Sequence, residues 1–228
     1  MTRQLLLDLL PPPAPTLDNF VVGDNHVALD AVRNLQPGRA IYLWGSEGAG
    51  RSHLLKARAC SADSIYFGPD TSPATLLALA NADTIAQRYI SIDDTHRLDP
   101  DGQAALFALY NRWREAASSA HAFALLVAGD RAPMTMPVRE DLRTRLGWDL
   151  VFRLEQLSDQ ERAQALKTQA DERGLQLSPE VITWILTHHA RDMGRLTALL
   201  DALDRYSLER HRAITLPLLK DLLASSRP

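Results

Sequence analysis

Cysteine is nearly absent: Cys60 stands alone among 228 residues. No disulfide can form within the chain, and a multi-cysteine metal site is excluded. No apolar run approaches the ~18–20 residues that a membrane-spanning helix requires. The leucine-rich start, LLLDLL at residues 5–10, has only Arg3 ahead of it, an aspartate inside it and no small-residue cleavage site. A secretory signal does not look like this, so a cytoplasmic protein with no membrane partner is expected. An excess of positive charge is missing too: 25 Lys and Arg face 28 Asp and Glu, a net charge of −3. A broad duplex-DNA face is therefore not expected, while a local basic patch stays open. The sole histidine pair, His188-His189, would point about 100° apart on a helix and rarely shares a metal; it reads as surface or packing. Low complexity is confined to PPPAP at residues 11–15, a stiff, extended linker. The peptide ahead of it is too short for a core. It can dock on its own domain or be captured by another protein. A glutamine followed by spaced leucines, Gln4, Leu5, Leu7 and Leu9, suits a groove that reads an extended peptide.

What is present is organised around GSEGAGRS at residues 45–52. It matches the phosphate-binding pattern G-x-x-x-x-G-K-[ST] except that Arg51 stands where lysine is usual. An apolar run at 40–44 ahead of it reads as a buried strand, and 52–60 reads as a helix, so the strand–loop–helix context is met. Gly45, Gly48 and Gly50 let the backbone wrap phosphates without Cβ clashes. The loop and helix N–H groups would face the anion, and Ser52 is placed to ligate Mg2+. Arg51 can neutralise phosphate, but its planar guanidinium does not imitate an ammonium. Nucleotide binding is expected to survive; the geometry of hydrolysis is in question.

Further strands are expected at 65–67, 89–94, 123–128 and 150–154, an extended segment at 16–24, and helices at 25–35, 72–81 and 102–117. YISIDD at 89–94 ends in two acids. Asp93 suits a strand-tip acid that holds Mg2+ through water, and Asp94 could polarise an attacking water. Asp130, at the end of the 123–128 run, is by itself a plain turn residue. From Ser158 the pattern is helical only: SDQE at 158–161 is a capping box, Ser178-Pro179 starts another helix, and Leu196, Leu199, Leu200 and Leu203 line a third. A short fourth helix starts at Thr215.

TLDNFVVGDN, YLWGSEGAGRSHLL, ISIDD, AGDRAP, DLRTRLGW and ARDM…ALLDAL occur in this order. Together they resemble the AAA+ module of the DnaA replication initiators over about residues 16–225. The chain ends at Pro228 without a helix-turn-helix domain and starts with QLLLDL at 4–9, which looks like a sliding-clamp-binding motif. That layout is similar to the Hda family of DnaA regulators. The resemblance implies an α/β fold: a P-loop AAA+ nucleotide-binding domain (residues 16–156), with a parallel five-stranded sheet and flanking helices, then a small all-helical lid (157–228). Residues 1–15 would be the clamp-binding peptide and linker.

The resemblance also implies roles. Gly45, Gly50, Arg51 and Ser52 match Walker A, with Gly48, Ala49 and His53 completing the nucleotide cradle. Asp93 and Asp94 match Walker B, with Ser52 and Asp93 on the metal. Asp130 matches sensor 1, Arg191 sensor 2, and Val21, Val22 and Asn25 flank the adenine. Arg145 matches an arginine finger acting on a neighbour's nucleotide; from the residues alone a surface salt bridge with Asp141 or Glu140 is the favoured reading. The implied ligands are ADP or ATP with Mg2+. The implied partners are DnaA and the beta-subunit sliding clamp, with DNA reached only through the clamp and a homo-oligomer possible. The implied function is stimulated hydrolysis of DnaA-bound ATP, preventing re-initiation, with weak or no ATPase activity of its own. A stand-alone AAA+ ATPase or loader, working with DnaA or DNA, is the alternative; a metabolic P-loop kinase fits the Arg145 and Arg191 contexts poorly.

Overall fold

The computed structural model describes residues 13–188 and 192–225. They form two compact units, Pro15–Gln156 and a second from Leu157 onward. The described elements of the first are α1 (His26–Arg33), β1 (Ala40–Trp44), α2 (Arg51–Arg58), β2 (Ser64–Phe67), α3 (Pro73–Asn81), β3 (Tyr89–Ile92), α4 (Pro100–Ala116), β4 (Ala124–Gly129), α5 (Glu140–Leu146) and β5 (Leu150–Arg153). The five strands form one sheet in the order β2-β3-β4-β1-β5, and every neighbouring pair is parallel.

Alternation along the strands builds a core on each face. On β1, Ile41 and Leu43 pack with Leu29 and Val32 of α1 and Leu54 and Leu55 of α2. Ala40 and Tyr42 pack on the other side with Leu106, Leu109 and Tyr110 of α4. β4 lies between β1 and β3 and is buried at all six positions; a strand covered on both faces reads as a continuous apolar run. The edge strand β5 is fixed at its start by Asp149. Arg39 Nε and Nη2 donate to its two carboxylate oxygens at 2.8 and 2.6 Å, and the Ala40 N–H donates at 2.9 Å.

Residues 16–24 differ from the extended reading: they are irregular, with no strand. The Thr16 N–H donates to Asn19 Oδ1 at 2.8 Å and the Asn19 N–H to Thr16 Oγ1 at 3.1 Å. Such local side-chain bonds draw the backbone into a turn instead of a ladder, and Phe20 then enters the core.

The second unit holds α6 (Asp159–Glu172), α7 (Pro179–His188), α8 (Met193–Arg210) and α9 (Leu216–Ser225). The capping box forms: the Glu161 N–H donates to Ser158 Oγ at 3.2 Å and the Ser158 N–H to Glu161 Oε2 at 2.6 Å. Leu196, Leu199, Leu200 and Leu203 pack against Leu166, Val181, Ile185 and Leu218. His188 stacks on Trp184 at 4.3 Å. Among the described residues, no helix is long and apolar enough to cross a membrane.

The Arg39 fork, with the Ala40 N–H behind it, holds the Asp149 carboxyl below the ordinary carboxylate range. A folded pKa below the unfolded one gives stability that is present above the unfolded value and lost as pH falls through the folded one. Asp149→Asn should cost about 1 kcal/mol at neutral pH, because Arg39 lies open to solvent. The difference from wild type should vanish in acid when urea unfolding is followed across pH. A difference that stays constant into acid would refute this linkage.

Candidate functional site

β1, β4 and β3 are adjacent and parallel, so the loops at their carboxyl ends emerge side by side, where open α/β sheets take ligands. The loop after β1 carries residues 45–50, the loop after β4 carries Asp130, and the loop after β3 carries Asp93 and Asp94. Two bonds brace these tips. Tyr42 Oη donates to Arg131 O, and Thr95 Oγ1 donates to Ala128 O, each at 2.9 Å.

Gly48 and Gly50 adopt φ of 81° and 94°, values that suit glycine. At Gly50 a Cβ would also lie 2.5 Å from Phe20 Cε2, so Phe20 forms a floor under the loop. Gly45 approaches β5's end: its Cβ would lie 2.5 Å from Leu154 O. The loop runs into α2, whose first N–H groups have no helical acceptor. Ala49 is buried and Ser52 half-buried there. His53 Nε2 lies 2.8 Å from Thr16 O and its ring 5.4 Å from Phe20, so it engages the amino-terminal segment. Val21 and Val22 are half-buried. Asn25 is 4% exposed and mimics a strand partner for Glu155, donating to its carbonyl at 3.0 Å and accepting its N–H at 2.8 Å.

Arg51 opens α2 and is 9% exposed. A buried guanidinium needs a counter-charge, and Arg51 Nη2 finds Asp94 Oδ1 at 3.6 Å. Asp94 has φ 46°, a left-handed conformation that aspartate tolerates better than most side chains. Arg51 Nη1 is buried with no hydrogen-bond partner among the described residues. Asp93 is 2% exposed. Its N–H extends the sheet by donating to Phe67 O at 2.9 Å. Each of its oxygens already has a donor: Tyr66 Oη on Oδ2 and the Asp94 N–H on Oδ1, both at 2.9 Å. Burial first, then the Asp93 charge, push the Tyr66 phenol above its ordinary value, so it stays a donor. With Asp93 2% exposed and one donor already on each oxygen, little of its carboxylate is open to a hydrated Mg2+, which keeps several waters.

Asp130 accepts from Arg131 Nε and Nη2 at 2.9 and 2.5 Å. That fork, with the charges of His96 and Arg51, holds its carboxyl below the ordinary range. Arg145, on α5, is gripped from four sides. Its Nε donates to Asn111 Oδ1 at 2.9 Å and Nη1 to Asp141 O at 3.1 Å. Its Cζ lies 3.9 Å from the Phe107 ring centre and 4.6 Å from that of Trp148. Of the two carboxylates the sequence offered it, Asp141 pairs with Arg139 instead, at 2.6 Å. Arg191 and the peptide residues Gln4, Leu5, Leu7 and Leu9 lie outside the described residues.

Sequence reasoning missed Tyr66, Phe20, Asn111 and Trp148 as neighbours of these groups. Only Tyr66 left a signal, a phenol beside the end of a strand that neighbours the acidic one.

A family model described as the Hda lid domain matches residues 159–223. An uncharacterized protein of Haemophilus influenzae is 30% identical over 235 residues, an alignment taking in 98% of this chain and 99% of the relative. Domain III of the Thermotoga maritima replication initiation protein DnaA is similar in structure, with a TM-score of 0.69 at 21% identity over 96% of this chain and all (100%) of that one. AMPPCP-bound DnaA from Aquifex aeolicus gives a TM-score of 0.65 at 23% identity over 88% of this chain and 68% of that one.

The loop geometry makes a paired prediction. Gly50→Ala meets both a left-handed φ and Phe20, and should cost about 2–3 kcal/mol in chemical unfolding. Gly48→Ala meets only Gln156 Nε2 at 3.7 Å and should cost about 1 kcal/mol. Equal losses would show that contact with Phe20 contributes nothing.

Proposed function

Because the chain belongs to the Hda/DnaA-like AAA+ family, we propose that it is a regulator of DnaA which presents Arg145 to the ATP that DnaA holds. On this reading it holds ADP or ATP at residues 45–52 and docks on the sliding clamp through residues 4–9, meeting DNA only through the clamp. Val21, Val22 and Asn25 flank the adenine, Asp130 is sensor 1, and Arg191 is sensor 2. AMPPCP in the related Aquifex aeolicus DnaA supports a nucleotide at the loop. Asp94 is engaged by Arg51 at 3.6 Å, and an acid so engaged is a poor activator of water, which supports weak hydrolysis by the chain itself.

The observation that carries the reading is the setting of Arg145. Phe107 and Trp148 cover the guanidinium faces, while Asn111 and the Asp141 carbonyl take only two of its N–H groups. Among the described residues it forms no ion pair, the Asp141 carboxylate being paired with Arg139, and a guanidinium has five donors in a fixed plane. It is thus pre-oriented, still charged and able to bind phosphate.

The test is hydrolysis of ATP preloaded on DnaA, with DNA-loaded clamp present. Wild type should accelerate it. Arg145→Ala should lose most of a gain on the order of 10³–10⁵, the usual worth of a finger supplied in trans, while keeping clamp binding. Gln4→Ala/Leu5→Ala should lose clamp binding and stimulation together. No acceleration by wild type with nucleotide bound would sink the reading and favour a stand-alone ATPase or loader.

A further inference from the structure

We propose that this site takes a metal-free nucleotide, with the Arg51 guanidinium making the bridge between acid and phosphate that a divalent cation makes elsewhere. The inference rests on the nucleotide reading above and adds to it the form of the ligand.

In P-loop sites generally, Mg2+ links a strand-tip acid to the phosphate oxygens, while a lysine neutralises the phosphates from another side. Here both acids have other partners. Asp93 is nearly fully buried, with Tyr66 and the Asp94 N–H each on one oxygen. Asp94 is turned by its left-handed backbone toward Arg51 Nη2. The other terminal nitrogen, Nη1, is buried and without a hydrogen-bond partner among the described residues, on the residue that directly follows the glycine loop that would cradle the phosphates. A buried donor on a charged group is costly to leave unpaired, so the site as described wants an anion at that position. A planar fork can hold an acid with one nitrogen and a phosphate with the other. A compact ammonium on a flexible stem is a point charge and spans the two less well. The Arg51–Asp94 pair therefore accounts for two features together, the burial of Arg51 and the left-handed turn at Asp94.

The experiment is calorimetric titration of ADP onto the full chain, in excess Mg2+ and again in EDTA. Wild-type Kd should differ by less than about threefold between the two buffers, a small change on the affinity scale. A larger loss in EDTA overturns the inference while leaving the nucleotide reading intact. No ADP binding in either buffer overturns both. Arg51→Lys should become cation-dependent, weakening about tenfold in EDTA relative to Mg2+; cation-independent binding by this variant overturns the assignment to Arg51. Tyr66→Phe frees Asp93 Oδ2 and should bind ADP more tightly with Mg2+ than without, and equal affinity in both buffers counts against the role given to Asp93. The wild-type comparison requires no substitution, so a variant that folds poorly does not remove the test.

Discussion

A guanidinium buried at the start of a helix sets the terms for the rest of this site. Arg51 is 9% exposed, and a charge so placed must be countered or it will not stay. Among the described residues its ion-pair partner is Asp94 at 3.6 Å, a residue with left-handed backbone. Nη1 has no hydrogen-bond partner among them. The site is thus incompletely satisfied, with one buried donor of a charged group left over at the residue that follows the glycine loop. Incomplete satisfaction of a buried charged group is destabilising in the free protein and is relieved when an anion binds. The same imbalance that costs stability therefore favours ligand.

Such a site works only if the three strand tips hold still. β4 ensures that. It is buried along its whole length and paired in parallel with both β1 and β3, so the loops that carry the glycines and the two acids cannot shift independently. Tyr42 reaches from β1 to the Arg131 carbonyl and Thr95 from the β3 tip to the Ala128 carbonyl. These bonds cross between elements rather than running within them, and a hydroxyl buried without a partner would be penalised. The residue that fills the loop's floor, Phe20, comes from the irregular amino-terminal stretch, which His53 and Asn25 tie down from both sides. Loop conformation thus depends on a segment far from it in composition and character.

That dependence explains what could be seen in the sequence and what could not. The glycine loop, the acidic strand tip and the capping box were legible because each is a local constraint: the residue type at a fixed spacing is the mechanism. The alternating cores on β1 and β4 were legible as short apolar runs, and the helical stripe of Leu196, Leu199, Leu200 and Leu203 as a period. Residues 16–24 depart from the extended expectation because the Thr16 and Asn19 side chains bond each other's backbone N–H and draw the chain into a turn. The setting of Arg145 was not legible at all. Asn111 lies 34 positions away, on the helix expected at 102–117, and nothing in a helical period says which of its polar residues will meet α5. Tyr66 was taken simply as a strand residue; its partner became known only with the register that sets Phe67 opposite Ile92.

The two arginines of interest are held by opposite means, and the difference suits different tasks. Arg51 is buried and faces an acid, so its charge is partly spent within the chain and its position is fixed by electrostatics. Arg145 rests between aromatic rings at 3.9 and 4.6 Å, contacts that orient a guanidinium while leaving its charge intact. Rings cover the faces and leave the in-plane N–H groups as the reactive edge. A group that stabilises phosphate charge as it develops should be pre-oriented yet not neutralised, because reorganisation at the moment of reaction is what such catalysis avoids. A group that retains a resting nucleotide can share its charge with a permanent partner. On the proposed reading, arginine in the loop and rings around Arg145 are consistent choices: the first would share its charge with Asp94 while holding the chain's own ligand, and the second would keep its positive edge for another molecule's phosphate.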